Sequence, residues 1–352
     1  MIPIYKPFFS ELESKYLNQA LESGWISNKG EFIDRFKSLI KDFLKVDYVV
    51  LTHNGSVSLM LGLAALGLKP GDEIVVPSLT YMATISQPIW LGLKVVLFDS
   101  EMDFQPSFES FRKVLSNRTK CLILPSLYNG APSIFSFIEE CKVRGISVFE
   151  DAAEAFGSTI NGNYIGTMGD IGSFSFFGNK TITTGEGGCV VTNNKLLYDR
   201  LELLNNQSHV YNFEHAGPGF NFRMTNLQAA IGCAQLENID EILKRKKAIA
   251  NLYSSLPDYI GSNKCESAEW MPLFRGKLSY KHIAKYATLH NIDTRPCFKP
   301  AHLTPGFRDY VDFSRCNFPI SSDIYSYGYN LPCFPGLTEE ELLYITETVR
   351  NI

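Results

Sequence analysis

Between residues 45 and 151, short apolar runs rich in β-branched residues alternate with longer amphipathic stretches. YVVL, EIVV, KVVLF, CLIL and ISVFED are separated by segments such as SVSLMLGLAALG and SIFSFIEECKVRG. This alternation predicts βαβ units, and unbroken apolar runs predict strands buried on both faces of a parallel sheet. GSFSFF and GCVVTN extend the strand pattern. From about Asn226 to Leu256, apolar residues at three- and four-residue spacing predict a long helix, and Pro257 marks a boundary. Beyond it Pro, Tyr and Cys become denser, with a strand-like run near Trp270 to Phe274 and helical patterns near Ser279 to His290 and Glu339 to Asn351. Ahead of the first strand lie an amphipathic helix (Glu11 to Ser23), the turn WISNKGEF and a second helix, a segment expected to pack on the large domain. The expectation is an α/β protein. Residues 1–256 hold a mostly parallel central sheet sandwiched by helices, and residues 257–352 a small α+β domain.

Composition narrows the partners. At roughly 100–200 residues per domain, 352 residues suit two domains or one with an appendage. Hydrophobic residues at 45% and charged ones at 20% exclude disorder and fibrous repeats. The formal charge of -4 removes the electrostatic case for nucleic acid or an anionic membrane as main partner, leaving small anions held at a local site. No apolar run approaches the roughly 18 residues that suggest a membrane span. The start, MIPIYKPFFSE, lacks the features of a secretory signal, so a cytoplasmic location is expected. The 8 cysteines (Cys121, Cys141, Cys189, Cys233, Cys265, Cys297, Cys316 and Cys333) form no CxxC pair and lack a histidine at zinc-finger spacing. They are expected to be reduced and mostly buried, with no metal bound.

Ligands of open α/β sheets sit at the carboxyl ends of the strands, so the chemistry is sought just after each apolar run. After YVVLT, His53-Asn54-Gly55-Ser56 opens a helix whose first N–H groups suit a phosphate; the alternative is an Asn-Gly turn with Ser56 as N-cap. Tyr81 follows EIVVP and could stack on a flat ligand or simply pack. Asp151 ends ISVFED, where a buried carboxylate needs a cation. The protonated ring nitrogen of a cofactor, a salt bridge, or service as a helix N-cap would each suit it. Glu154 lies one helical turn further on. In GSFSFFGNKT a strand delivers Lys180 into a loop followed by Gly185-Glu186-Gly187-Gly188. A lysine in such a pocket can attack a carbonyl and form a Schiff base, whereas an isolated GNK would be a solvated loop lysine. The glycine spacing does not fit a nucleotide-triphosphate loop.

Phosphate-type turn, aromatic, carboxylate and lysine thus follow one another at successive strand ends. In this order and spacing the chain resembles, nearly end to end, the DegT/StrS family of pyridoxal-phosphate-dependent nucleotide-sugar aminotransferases of fold type I. FSFFGNKTITTGEGGCVVTN is most similar to the 4-aminotransferases of perosamine-type and viosamine-type sugars. The resemblance implies pyridoxal 5′-phosphate as cofactor, with pyridoxamine 5′-phosphate as its aminated form, held covalently by Lys180. It places Asp151 against the ring nitrogen, Glu154 by the ring hydroxyl, Tyr81 on the ring face, and Gly55, Ser56 and Ser175 on the phosphate. From GFNFRMTNLQAA it implies that Asn221 completes the site of a neighbouring subunit in a homodimer, with Arg223 nearby. WISNKG and TRPCFKPAH match segments lining the sugar-nucleotide side, which brings in Trp25, Lys29, Arg295 and His302. One departure stands out: where relatives usually read PVHLYG, this chain reads PSLYNG, so Leu127 and Asn129 replace the usual His and Tyr.

The implied reaction moves the amino group of L-glutamate to the keto group of a nucleotide-linked 4-keto-6-deoxyhexose, with Lys180 as proton carrier and ping-pong kinetics. Related dehydratases typically carry His at the lysine position, and Lys180 argues against that chemistry. A 3-aminotransferase would share every cofactor residue. A regulator that binds cofactor or sugar nucleotide without turnover would be expected to lose Lys180 or Asp151.

Overall fold

The computed structural model describes residues 1–128, 130–261 and 265–351. Among them, eight strands form the central sheet: β1 (Tyr48–Thr52), β2 (Glu73–Pro77), β3 (Lys94–Phe98), β4 (Thr119–Pro125), β5 (Ser147–Asp151), β6 (Ile171–Ser175), β7 (Gly188–Thr192) and β8 (Val311–Asp312). Their spatial order is β1-β7-β6-β5-β4-β2-β3-β8. β7 is antiparallel to both of its neighbours, and every other neighbouring pair is parallel.

The apolar runs make two-faced strands because successive side chains point to opposite sides. Val75, Val96, Leu122 and Val148 join one buried cluster, while Ile74, Val76, Val95, Leu97, Ile123 and Phe149 join the other. Each such side chain contributes about 1.5–3 kcal/mol by leaving water, so both helical layers are held firmly to the sheet. Helices Glu11–Glu22 and Glu31–Leu44 pack with helix Asn226–Glu237 on the first face. Helix Gly55–Ala65 packs across the second.

A second sheet of four antiparallel strands, in the order Tyr259–Ile260, Leu273–Arg275, Gly328–Asn330 and Arg295–Pro296, lies in the C-terminal part. Ile283 and Ala287 of helix Tyr280–Leu289, and Leu342, Ile345 and Val349 of helix Glu339–Arg350, pack with Phe274 and Tyr329 in a separate core. The last helix begins with a reciprocal capping box between Thr338 and Glu341.

Three expectations need correction. The long helix from Asn226 is two helices, Asn226–Glu237 and Ile239–Tyr253, because Asn238 leaves helical geometry and its side chain donates to Ser10 Oγ (2.9 Å) and the Ala234 carbonyl (3.0 Å). The strand expected near Trp270 begins only at Leu273: Pro272 has no N–H to give a ladder, and the carbonyls of Trp270 and Pro272 accept instead from Lys246 Nζ (3.0 Å) and Asn330 Nδ2 (3.0 Å). Asn54, not Ser56, caps helix Gly55–Ala65, accepting from the Val57 N–H at 3.0 Å. Six of the eight cysteines are buried, and Cys265 and Cys316 are partly exposed. No helix among the described residues is long and apolar enough to cross a membrane.

Candidate active site

Parallel strands end on one edge of the sheet, and there the carboxyl ends of β1, β2, β4, β5 and β6 surround a cavity of ≈ 290 Å³. At its floor the Asn54 cap leaves the N–H groups of Gly55 and Ser56 without intrahelical partners, at the positive end of the helix. Gly55 is required by close approach: a Cβ there would stand 2.7 Å from Ser175 Cβ. Residue 55 therefore has to stay bare for the end of β6 to reach the same corner.

β5 delivers Asp151, buried at its end. Asp151 Oδ2 accepts from the Thr84 hydroxyl (2.7 Å), which in turn accepts from Thr80 Oγ1 (3.0 Å). No ion pair reaches Asp151 among the described residues, so its charge is oriented but uncompensated. Burial pushes its carboxyl up from the ordinary value, against the hydrogen bond from Thr84 and the more distant pull of Lys180. Glu154 is also buried: Oε2 accepts from the Tyr128 N–H (2.8 Å) and Oε1 faces Lys180 Nζ at 3.7 Å. Burial lifts Glu154 to about 7, although Lys180 opposes the rise.

Lys180 projects from the loop between β6 and β7. Burial lowers its amine, partly offset by Glu154 and Asp151. Its main chain is held at two points: Tyr5 Oη donates to the Lys180 carbonyl (2.7 Å), and the Lys180 N–H donates to Phe177 (2.9 Å). Trp270, which sequence reasoning did not single out, lays its ring 4.3 Å from Lys180 Nζ. No local pattern marks this contact, because 90 positions separate the partners. Tyr81 stands at the mouth, 57% exposed, its ring 5.5 Å from that of Phe298.

Seven of the eight cofactor residues expected from the sequence line this one cavity: Gly55, Ser56, Tyr81, Asp151, Glu154, Ser175 and Lys180. Asn221 does not. It is exposed and accepts from Arg223 Nε (3.0 Å), and Arg223 also bonds Asn206 Oδ1. The other expected substrate residues stay outside the cavity as well. Trp25 and Lys29 are exposed on the turn before helix Glu31–Leu44, a turn pinned by Asn226, whose Nδ2 donates to the Trp25 carbonyl (2.7 Å). Arg295 is exposed and paired with Asp293 (3.2 Å). His302 has both ring nitrogens engaged, by Ser78 Oγ (2.7 Å) and Ser322 Oγ (3.0 Å), and stacks on Phe318. Leu127, at the departure from PVHLYG, lines the cavity with its apolar side chain; Asn129 lies outside the described residues.

The residues present fit a flat, anionic, aldehyde-bearing ring. An anion fits at the Gly55–Ser56 end, and an uncompensated carboxylate waits for a cationic ring nitrogen. A largely buried amine is placed to form the covalent link, and the buried Asn179 Oδ1 in the cavity wall has no partner in the protein. No group of three or more His, Cys, Asp or Glu among the described residues could hold a metal ion.

Comparison with known proteins points the same way. The model of the DegT/DnrJ/EryC1/StrS aminotransferase family matches residues 8–350. The chain is 39% identical over 360 residues to a GDP-perosamine synthase of Escherichia coli O157:H7, covering 99% of this chain and 98% of that protein. It is 37% identical over 364 residues to a GDP-perosamine synthase of Vibrio cholerae, covering 100% and 99%. The crystal structure of the aminotransferase TlmJ from Streptoalloteichus hindustanus superposes with a TM-score of 0.94 at 24% identity, over 100% of this chain and 98% of that one, a likeness of fold.

Proposed function

We propose, from the premise that this chain belongs to the DegT/DnrJ/EryC1/StrS aminotransferase family, that it makes a 4-amino-4,6-dideoxyhexose nucleotide for glycan biosynthesis. The amino group of L-glutamate would pass to the 4-keto group of a nucleotide-linked 4-keto-6-deoxyhexose. The enzyme is a pyridoxal-phosphate-dependent sugar aminotransferase. The observation that carries the reading is the convergence of Lys180, Asp151 and Glu154 in one buried cavity beside a phosphate-ready helix end. The two GDP-perosamine synthases favour a GDP-linked sugar of perosamine type over a viosamine-type product.

When bound, the cofactor supplies a sink for the electrons of a breaking C–H bond. Asp151, oriented by the Thr84 hydroxyl, would pair with the protonated ring nitrogen and so stabilise its charge. The Lys180 amine would hold the covalent link to the cofactor and, when free, would carry the proton taken from the substrate; burial lowers its pKa, which enlarges the share present as free base. Glu154 stands where it can hold that amine in its charged form. Gly55, Ser56 and Ser175 would hold the phosphate and Tyr81 would cover the ring, while Leu127 and Phe298 add apolar wall to the cavity.

The working unit in this reading is a cytoplasmic homodimer in which Asn221, with Arg223, serves the neighbour's cavity. Both residues lie outside their own cavity, beside a hairpin (His209–Tyr211 with Glu214–His215) whose tip residue Phe213 is 90% exposed. Trp25, Lys29, Arg295 and His302 are assigned to the sugar-nucleotide side, with His302 acting through the segment it braces. In this reading the large unit is residues 1–256 and the small one 257–352, with Val311–Asp312 of the latter extending the large unit's sheet beside β3. The test is incubation with L-glutamate and a panel of nucleotide-linked 4-keto-6-deoxyhexoses, with mass and NMR detection. A 4-amino sugar from the GDP-linked manno substrate is expected. Amination at C3, or no product from any substrate, would overturn the reading.

A further inference from the structure

Lys180 Nζ has two close neighbours, and one of them, Trp270, lies outside the set of residues expected to hold the cofactor. Its Nζ lies 4.3 Å from the Trp270 ring and 3.7 Å from Glu154 Oε1. Trp270 is held in place from several directions. Its indole N–H donates to the carbonyl of Asn179, the residue directly before Lys180 (2.7 Å). Its own carbonyl accepts from the fully buried Lys246 Nζ (3.0 Å), and its ring stacks on Tyr128 (5.9 Å between centroids). Tyr128 is in turn the residue whose N–H fixes Glu154 (2.8 Å), and it holds a left-handed backbone with φ 54° while stacked on Phe298 (5.2 Å). One buried aromatic unit therefore fixes both partners of the amine.

We propose that Trp270 is a positioning residue for Lys180: its indole face and Glu154 form a dock that receives the amine whenever it is not bound to cofactor, and its indole N–H locks the peptide from which the lysine swings. This deepens the aminotransferase reading and rests on it. A cation is attracted to the face of an indole and to a carboxylate, and a neutral amine much less so. The dock therefore holds the lysine once it has taken up a proton and lets it go as the proton is given up. Burial works in the other direction, so the amine is balanced between its two forms rather than fixed in one.

The test uses full-length enzyme loaded with pyridoxamine 5′-phosphate, in which Lys180 has a free amine. Carbamylation of Lys180 by cyanate, quantified by peptide mass spectrometry from pH 6 to 10, reads the amine's titration without turnover. Trp270→Leu should move the midpoint down by about 0.5–1.5 pH units, the worth of one cation–π contact. Trp270→Phe, which keeps a face and loses the N–H, should leave the midpoint within about half a unit. It should still slow the glutamate half-reaction about threefold at saturation, as expected for one neutral hydrogen bond. Glu154→Gln should also lower the midpoint. Should Trp270→Leu fail to fold, biosynthetic replacement of all 3 tryptophans by 5-fluorotryptophan weakens the ring face without changing its shape and should lower the midpoint in the same direction; Trp25 and Trp90 are 56% and 79% exposed. A wild-type midpoint in both the leucine variant and the fluorinated enzyme would overturn the dock. If wild-type enzyme neither retains pyridoxamine 5′-phosphate nor transaminates, the functional reading fails instead, whatever the titration shows.

Discussion

Two buried glutamates at opposite ends of the sheet are driven in opposite directions. Glu73 opens β2 at the amino edge. Burial would raise its carboxyl, but bonds from Arg315 (2.7 and 3.0 Å), Ser116 (2.7 Å) and Thr119 (2.8 Å) outweigh it and hold it at about 2. Glu154, beyond the carboxyl end of β5, has one backbone donor and an amine 3.7 Å away, and stands at about 7. The same side chain in the same fold is saturated at one end and left wanting at the other. Saturation serves stability. Incomplete satisfaction leaves a charge available to something that arrives, and it occurs at the edge where parallel strands open a crevice.

The sharpest way to break this contrast is Lys180→Arg. It keeps a cation in the cavity but removes the nucleophile and proton carrier, and should cut product formation by about 100- to 10,000-fold while the unfolding midpoint stays put; near wild-type turnover would dissolve the active-edge half of the comparison. Asp151→Asn should slow the glutamate half-reaction, followed as loss of the yellow cofactor band, on the order of 100-fold, without loss of stability, because an uncompensated buried charge has been neutralised. At the other edge Arg315→Met should do the reverse. It should cost about 2–3 kcal/mol in urea unfolding, below the 3–5 of a fully buried pair because Arg315 is 26% exposed and Arg118 lies 3.7 Å from Glu73, with kcat unchanged.

The smallest effects are in pH. Glu73 is depressed, so its contribution is present above the ordinary 4.5 and is lost as pH falls through about 2. Glu154 is raised, so its contribution is present below 4.5 and is lost as pH rises through about 7. In cofactor-free enzyme, Arg315→Met should flatten the acid limb of the stability curve and Glu154→Gln the limb between 4.5 and 7. Identical curves for both variants would remove the distinction.

Much of this was legible in the chain because the informative features are local. An apolar run ending in Asp151 marks a strand end, and Asn54-Gly55-Ser56 marks a helix start whatever lies elsewhere. GSFSFFGNK places Lys180 after a strand in the same way. What escaped was non-local or directionless. GCVVTN looks the same whether β7 runs with its neighbours or against them. Val311–Asp312 is too short to carry a period, although it extends the main sheet beside β3. Trp270 meets Lys180, and Arg315 meets Glu73, across loops whose closure no spacing encodes. Asn226 pins the turn around Trp25 from 201 positions away.

The reversal of β7 has a mechanical corollary. Because β6 and β7 are hydrogen-bonded neighbours of opposite direction, the segment carrying Lys180 leaves and re-enters the sheet at adjacent rungs, and the Phe176 N–H bond to the Gly187 carbonyl (2.8 Å) closes the gap between its feet. Such a mount ties the feet of the segment to the sheet, and with the Trp270 bond to Asn179 it leaves the amine's reach mainly to rotation within its own four-carbon arm. A shorter amine grafted at position 180 would lose the reach that this arm provides.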